Sequence, residues 1–251
     1  MPTCHRPDHP APGHEQATRR GTPAGMQLLH VRAGDGAVLE PITFAPSKIV
    51  GIGQNYRAHA AEMGKGIPSE PLMFLKPPSA LCGDGAPIVR PPGYARVDHE
   101  AELGVIIGTR ARRIRREDAL AHVLGYVCVN DVTVRDLQAK DGQWTRAKGF
   151  DSFCPVGPRV VSGLDPADLR IRCRVDGVVR QDSRTSDLIF DVPTLIAFVS
   201  QHMTLEPGDL ISTGTPAGVG NLVPGNVVEI EIEGIGVLRN PVIDPAEALA
   251  G

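Results

Sequence analysis

From Met26 onward the sequence alternates between short apolar segments and turn residues, which is typical of a domain built mainly from strands. The apolar segments that predict strands cover residues 48–53, 71–76, 99–108, 125–131, 210–213 and 227–233. Helical spacing predicts helices over 57–63, 116–124 and 192–203, the last with Asp191 as N-cap. An Asp-Gly pair at 176–177 predicts a hairpin over 170–181. The pattern indicates an α+β fold that is mainly β, with a few short helices.

Residues 1–25 differ from the rest because they contain five Pro and three His but no Leu, Ile, Val or Phe. Such a segment buries too little apolar surface to offset the entropy of ordering it, so we expect a disordered tail. It also lacks the apolar central region of a signal peptide. No apolar run in the chain approaches the roughly 20 residues that span a bilayer. We therefore expect a cytoplasmic protein with no membrane partner.

Composition narrows the class further. Gly (28) and Pro (23) are abundant among the 251 residues and favour turns over a helical bundle. The net charge of −3 gives no indication of a nucleic-acid partner. Five of the seven residues in 110–116 are Arg, but acidic residues follow at once and no aromatics interleave, so we interpret this segment as a solvated turn. The five Cys form no CxxC pair, so neither a zinc ribbon nor a disulfide framework is predicted.

Two carboxylates, Glu100 and Glu102, lie two residues apart in a predicted strand and therefore share a face. Such a pair can chelate a hard divalent cation, but alternation is also what any half-exposed strand shows. The acidic residues at 229, 231 and 233 alternate in the same way, and we interpret that strand as half solvated. What distinguishes the first pair is Asp131, which ends another apolar strand and offers a third oxygen donor.

Other polar groups accompany these carboxylates. His59 and Glu62 are three apart in a predicted helix, so Glu62 could orient the imidazole for general-base work, although such a pair is also a common surface contact. The segment that contains Arg135, Gln138 and Lys148 is dense in groups that can hold an anion. The Gly-rich turn 212–220 lets backbone N–H groups approach an anion, but it lacks the Lys-Ser/Thr of a phosphate-binding loop.

Taken together and in this order, these segments resemble the fumarylacetoacetate hydrolase family. The segments are GQNYRAHAAEMG (53–64), PLMFLKP (71–77), DHEAELGVIIG (98–108), VNDVTVRDLQ (129–138), QWTRAKGFDSFCPVGP (143–158) and ISTGTPAGVG (211–220). The resemblance implies a mixed β-roll or sandwich fold, a homodimer, and a Mg²⁺ or Mn²⁺ site on which an oxo-acid substrate chelates. It divides the chain into the tail 1–25, a short N-terminal segment 26–46 and a catalytic domain 47–251.

The family's functional residues carry over by position. Its metal ligands correspond to Glu100, Glu102 and Asp131. Its catalytic residues correspond to His59 and Glu62 on a lid and to Lys148 near the metal. Its substrate-contacting positions correspond to Arg135, Gln138, Thr215 and, beside the site, Lys76. The chain departs from the family at Gln54, where many relatives have Arg, and in segment 26–46, which is much shorter than the N-terminal domain of the larger members.

The resemblance implies a metal-dependent enzyme that acts on a small 2-oxo acid through an enolate. The reactions that we expect first are C–C bond hydrolysis of an acylpyruvate and decarboxylation of oxaloacetate. Isomerisation of a 2-hydroxyhepta-2,4-diene-1,7-dioate-type diacid in aromatic catabolism is an alternative. An inactive, metabolite-binding member of the family is another, although the presence of both His59 and Glu62 argues against it.

Overall fold

The computed structural model of the chain describes residues 25–62 and 66–248. The predicted tail therefore lies outside the described residues, apart from Gly25. The described strands are β1 (Met26–Arg32), β2 (Ile42–Phe44), β3 (Ile49–Gly53), β4 (Leu72–Lys76), β5 (Leu81–Cys82), β6 (Ile88–Val89), β7 (Val97–His99), β8 (Ala101–Ile107), β9 (Val123–Asn130), β10 (Thr133–Val134), β11 (Cys154–Ser162), β12 (Arg170–Val175), β13 (Val178–Arg184), β14 (Leu210–Ser212), β15 (Gly220–Asn221), β16 (Val227–Ile232) and β17 (Gly236–Ile243).

The helices are short compared with the strands they connect. They are α1 (Arg57–Glu62), α2 (Arg135–Asp141), α3 (Thr145–Lys148), α4 (Val192–His202) and α5 (Pro245–Ala248), with 3₁₀ turns at Pro78–Ala80, Arg116–His122 and Thr185–Asp187. The predicted class, mainly strand with a few short helices, is confirmed.

Three sheets form the domain. The largest has the order β2-β1-β11-β9-β8-β14-β3-β4, with β5 added to β11; the second has the order β13-β12-β16-β17-β6, and the third β10-β7-β15. The centre of the large sheet packs against the second sheet through β8 and β9 on one side and β12 and β16 on the other. Apolar side chains of both sheets meet in one buried core, which includes Leu103, Val105, Ile171, Ile230 and Ile232.

The two strands with alternating carboxylates differ in burial. Every residue of β8 is buried, whereas β16 alternates between half-exposed and buried residues. The interpretation of the strand with acidic residues at 229, 231 and 233 as half solvated is therefore confirmed. A strand that is covered on both faces excludes water from its polar side chains, so Glu102 on β8 requires partners inside the protein.

Local signals predict several elements correctly and one incorrectly. The Asp191 side chain accepts a hydrogen bond from the Thr194 amide and caps α4, as predicted. The hairpin β12–β13 turns at 176–177, with Val175 opposite Val178. The predicted helix over 116–124 is wrong in type and end: it is a 3₁₀ segment that stops at His122, because Val123 already pairs with Ile107 in the large sheet.

The arginine-rich segment 110–116 is bound to acidic side chains and carbonyls of its own chain. Arg110 pairs with Glu206, Arg116 with Asp191, and Arg115 with both Glu117 and Asp118. Arg112 donates to the carbonyl oxygens of residues 200 and 201. These contacts support the interpretation of this segment as a surface turn. Among the described helices, none is long and apolar enough to cross a membrane.

Candidate active site

A cavity of about 340 Å³ opens beside the ends of the central strands. Its lining contains eight of the ten residues singled out in the sequence as catalytic, substrate-binding or metal-binding. The other two, Glu62 and Lys76, lie behind the wall and form hydrogen bonds with the lining residues His59 and Asp131. The lining residues of the predicted set are His59, Glu100, Glu102, Asp131, Arg135, Gln138, Lys148 and Thr215. Positions far apart in the sequence thus meet in one place.

Strand pairing brings the three carboxylates together. Glu102 lies on β8, Glu100 stands just before that strand, and Asp131 follows β9. Because β8 and β9 run antiparallel, with Ala101 opposite Asn130, the start of one strand meets the end of the other. The Asp131 amide donates to the Glu100 carbonyl at 2.9 Å. All three carboxylates are buried and can each direct an oxygen to a common centre, since these oxygens lie within 4.8 Å of one another.

Glu102 differs from the other two because its partners are neutral. One of its oxygens accepts from the Ser212 hydroxyl at 2.5 Å and from the Gly214 amide at 2.9 Å. Burial, together with the charges of Asp131 and Glu100, raises the pKa of Glu102 well above its usual value. Among the described residues, no cationic side chain forms an ion pair with Glu102.

Two buried lysines form ion pairs with the other two carboxylates, Glu100 and Asp131. Lys148 donates to Glu100 at 2.9 Å, to the Thr133 hydroxyl at 2.8 Å, and to Asp131. Lys76 donates to Asp131 at 2.6 Å and to the Phe153 carbonyl at 2.8 Å. Burial alone would lower the pKa of Lys148, but the charges of Asp131 and Glu100 outweigh it and raise that pKa. Burial would likewise raise the pKa of Glu100, yet the charges of Lys148 and Arg135 lower it. Lys148 and Glu100 are therefore both charged at neutral pH.

The donor set fits a divalent cation. Carboxylate oxygens are the ligands that Mg²⁺ and Mn²⁺ prefer, and three of them converge from a rigid pair of strands. Because the pKa of Glu102 is raised, its carboxyl group favours the neutral form until a cation that binds to it displaces the proton. The residues present therefore could hold such an ion.

The predicted His–Glu pair forms a contact at the wall of the cavity. In α1, His59 Nδ1 lies 3.2 Å from Glu62 Oε2, the i, i+3 geometry expected from the sequence. The Gly218 amide also approaches Glu62 Oε2, at 3.4 Å. His59 is buried, whereas the Glu62 side chain is 43% exposed. With Nδ1 bound to the carboxylate, Nε2 is the imidazole nitrogen left for a reacting group.

Arg135 and Gln138 line the cavity but also bind each other. The Arg135 guanidinium donates to Asp98 at 2.8 Å, to Glu100 at 2.6 Å, and to Gln138 Oε1 at 2.8 Å. All three of its nitrogens are thus engaged by protein acceptors. Arg135 therefore holds Glu100 in place as well as lining the cavity.

Several residues that hold the site in place were not predicted from the sequence. Gln181, on β13, donates to the Thr215 hydroxyl and the Pro216 carbonyl, each at 2.8 Å, and accepts from the Ala101 amide at 3.0 Å. No local signal distinguishes this glutamine, because its partners are 34 to 80 residues away in the sequence. Thr133 and Ser212 lie within the segments that carry the family resemblance, two residues from Asp131 and three from Thr215, so their positions did offer a signal.

Comparisons with known proteins show what this chain is similar to. The family model "Fumarylacetoacetate (FAA) hydrolase C-terminal" matches residues 48–243. An uncharacterized protein of Methanocaldococcus jannaschii is 52% identical over 219 residues, which are 87% of this chain and 92% of that protein. The mitochondrial oxaloacetate tautomerase FAHD2A of Bos taurus is 45% identical over 229 residues, 86% of this chain and 73% of that one.

A solved structure of a relative has the same fold. The 2-hydroxyhepta-2,4-diene-1,7-dioate isomerase of Mycobacterium marinum is 47% identical and superposes with a TM-score of 0.76, over 81% of this chain and 77% of that one. The family model covers more than half of the chain, and these relatives are similar over most of their length. The chain belongs to the fumarylacetoacetate hydrolase family.

Proposed function

We propose that this protein is a divalent-metal-dependent enzyme that moves a proton between C3 and the 2-oxo oxygen of a small 2-oxo acid, with oxaloacetate as the first substrate to test. The observation that carries the proposal is the cluster of Glu100, Glu102 and Asp131 at the base of a cavity that His59 also lines. Relatives named as an oxaloacetate tautomerase and a diacid isomerase support this choice, because both names describe proton transfer next to a carbonyl.

Glu100, Glu102 and Asp131 would hold the proposed cation, Mg²⁺ or Mn²⁺. When bound, it supplies a Lewis acid that polarises the oxygens of the 2-oxo acid. Lys148 adds a fixed positive charge beside the same carboxylates, in a site where few water molecules compete with it. This environment favours the negative charge that develops on the substrate oxygen when C3 loses a proton.

In the proposed mechanism His59 is the base. Its Nε2 removes the C3 proton, while Glu62 accepts the hydrogen bond from Nδ1 and stabilises the imidazolium that forms. The same proton then passes to the substrate oxygen, which gives the enol, and the reverse sequence regenerates the ketone. Thr215 contacts the substrate through its hydroxyl, which Gln181 holds in place.

A second candidate reaction is C–C bond hydrolysis of an acylpyruvate. The His59–Glu62 pair favours it, since such a pair can activate a water molecule for attack on the distal carbonyl. Decarboxylation of oxaloacetate and isomerisation of a hydroxyheptadienedioate share the same enolate, so the site residues are compatible with these reactions too. We also retain the homodimer and the cytoplasmic location as predictions from the resemblance and the sequence.

One NMR experiment separates these reactions. The protein is incubated with Mg²⁺ in D₂O and either oxaloacetate or acetylpyruvate. Deuterium at C3 of the intact substrate reports enolisation, whereas pyruvate reports decarboxylation from the first substrate and hydrolysis from the second. We expect enzyme-dependent enolisation that EDTA abolishes and that E100Q or D131N reduces at least a hundredfold, because each variant removes a metal ligand. Full activity after chelation would contradict the metal proposal.

A further inference from the structure

Arg96 is a cationic group of the cavity that the sequence did not single out. It immediately precedes β7 and lines the same cavity as the three carboxylates. Its side chain is 52% exposed, whereas those of Lys148 and Lys76 are almost completely buried. Arg96 therefore lies where the cavity meets solvent, whereas Lys148 lines its buried part.

The position of Arg96 is fixed by five hydrogen bonds of Arg96 and its neighbour Ala95. The carboxylate of Asp136 accepts from the amides of Ala95 and Arg96, at 2.8 and 3.2 Å, and the Arg96 carbonyl accepts from the Arg135 amide at 2.9 Å. The Nε atom of Arg96 donates to Asp98, at 2.8 Å to one oxygen and 3.1 Å to the other. A guanidinium that is already held in place loses little conformational entropy when it binds a ligand.

The terminal nitrogens of Arg96 distinguish it from the other cations. Within residues 25–62 and 66–248, neither Nη1 nor Nη2 of Arg96 has a hydrogen-bond acceptor. Arg135, by contrast, uses all three of its nitrogens, and Lys148 has three acceptors. Arg96 thus presents two donor groups that match the two oxygens of a carboxylate.

The charges around the cavity favour a dianion. When the three carboxylates of the cluster are ionised to bind a cation, four carboxylates are matched by four cationic side chains, namely Asp98, Glu100, Glu102 and Asp131 against Arg96, Arg135, Lys76 and Lys148. A divalent cation would add two positive charges, which a dicarboxylate neutralises and a monocarboxylate does not. The Arg135 guanidinium contacts both Asp98, which holds Arg96, and Glu100 of the carboxylate cluster. Arg135 therefore connects Arg96 to this cluster.

We propose that Arg96 binds the distal carboxylate of the substrate and makes the site selective for 2-oxo dicarboxylic acids. This inference rests on the function proposed above, because it assumes that the 2-oxo acid end faces Glu100, Glu102 and Asp131. Arg96 supplies a bidentate contact to the other end, through nitrogens that the protein leaves unengaged.

Two substrates of matched shape test the inference. Oxaloacetate and acetylpyruvate carry the same 2-oxo acid end and an acidic C3, but the first ends in a carboxylate and the second in a neutral acetyl group. We expect R96Q to lower the ratio of their kcat/KM values, oxaloacetate over acetylpyruvate, by about tenfold to a hundredfold, as for other hydrogen bonds to charged groups. The effect should appear mainly in KM. R96K should recover part of the ratio, because lysine restores the positive charge but not the two terminal N–H groups that contact both carboxylate oxygens.

The control is R159Q, which removes an exposed arginine on β11 that is not part of the cavity. It should leave the ratio at the wild-type value. An unchanged ratio in R96Q would overturn the inference while leaving the proposed function intact. A thermal melt of each variant establishes that it is folded.

A binding measurement separates the two proposals if the wild type turns over neither substrate. With Mg²⁺ present, calorimetric titrations compare malate with 2-hydroxybutyrate, which share a hydroxy-acid end and differ in the distal carboxylate. We expect R96Q to weaken malate binding at least tenfold and R159Q to leave it unchanged. That result without turnover would support the Arg96 subsite and reject the proposed reaction. Equal malate binding by wild type and R96Q would reject the subsite.

Discussion

Lys148 pairs with two of the three carboxylates of the cluster, Glu100 and Asp131. Its ammonium group is buried and donates to Glu100, Thr133 and Asp131. Burial disfavours the charged amine, but the charges of Asp131 and Glu100 more than compensate and raise the pKa of Lys148. The lysine and the carboxylates therefore depend on each other, because each would be an unpaired buried charge alone.

This dependence predicts the effect of removing the lysine. In EDTA, Lys148→Met should lower the free energy of unfolding by about 3 to 5 kcal/mol, since the carboxylates lose their common partner. Urea unfolding measures the change, and Lys140→Met, an exposed lysine on α2, is the control. The loss should be smaller with Mg²⁺ present, because the cation takes over part of the neutralisation. An equal loss in both conditions would argue against a metal at these carboxylates.

Glu62 supports a different prediction, because it is half exposed and acts through His59. Glu62→Gln should lower kcat about tenfold to a hundredfold, as it removes the negative charge that stabilises the imidazolium. The KM for oxaloacetate and the affinity for Mg²⁺ should stay close to those of wild type. Steady-state kinetics test this against Glu40→Gln, a change at an exposed residue outside the cavity. A rise in KM alone would mean that Glu62 shapes binding and not proton transfer.

At the scale of elements, a buried carboxylate joins two parallel strands. Asp209 precedes β14 and accepts from the Ser47 amide and hydroxyl at 3.0 and 2.7 Å and from the Lys48 amide at 3.1 Å, where β3 begins. Its other oxygen accepts from the Glu206 amide at 2.8 Å and from the Lys48 ammonium. Burial would raise the pKa of Asp209, but the hydrogen bonds from Lys48 and Ser47 lower it below the usual 3.8.

The sign of the pH effect follows from this lowered pKa. The folded state holds the carboxylate more strongly than the unfolded state does, so this group stabilises the fold above about pH 3.8 and loses that effect as the pH falls through the folded pKa. Asp209→Asn should cost about 1 to 3 kcal/mol at neutral pH, because an amide hydrogen then faces donors. In urea titrations, the difference from wild type should shrink as the pH falls below about 3.8 and through the lowered pKa of Asp209. Asp244→Asn, an exposed change, is the control, and a difference that does not vary with pH would contradict the linkage.

The elements also show how much the sequence could predict. Signals that act within a few residues, such as the Asp191 cap and the turn at 176–177, were read correctly. The alternation of apolar and polar residues in β8 does not predict that the whole strand is buried, because the second sheet that covers it is remote in the chain. The order of the sequence motifs, through the family resemblance, predicts the site residues. Their contacts with Gln181 and Arg96 could not be read in this way, since only the folded chain brings those residues to the cavity.

At the scale of the whole molecule, the carboxylate cluster connects several elements. Glu102 is held by the segment after β14, Asp131 by Lys76 on β4, and Glu100 by Lys148 at the end of α3. A cation bound to all three carboxylates would therefore bind the native arrangement and not the unfolded chain. Binding of this kind stabilises the fold according to the ratio of ligand concentration to Kd.

This coupling predicts a metal-dependent melting temperature. Mg²⁺ or Mn²⁺ at a hundred times its Kd should add about 2.7 kcal/mol to the free energy of unfolding, which corresponds to about 5 to 10 °C for a chain of this size. Glu102→Gln should remove most of the shift, because an amide still accepts from Ser212 and Gly214 but no longer brings a negative charge to the ion. Differential scanning calorimetry in MgCl₂, with NaCl of equal ionic strength as reference, measures it. If the shift persisted unchanged in Glu102→Gln, the cation would be stabilising the protein at a site other than this cluster.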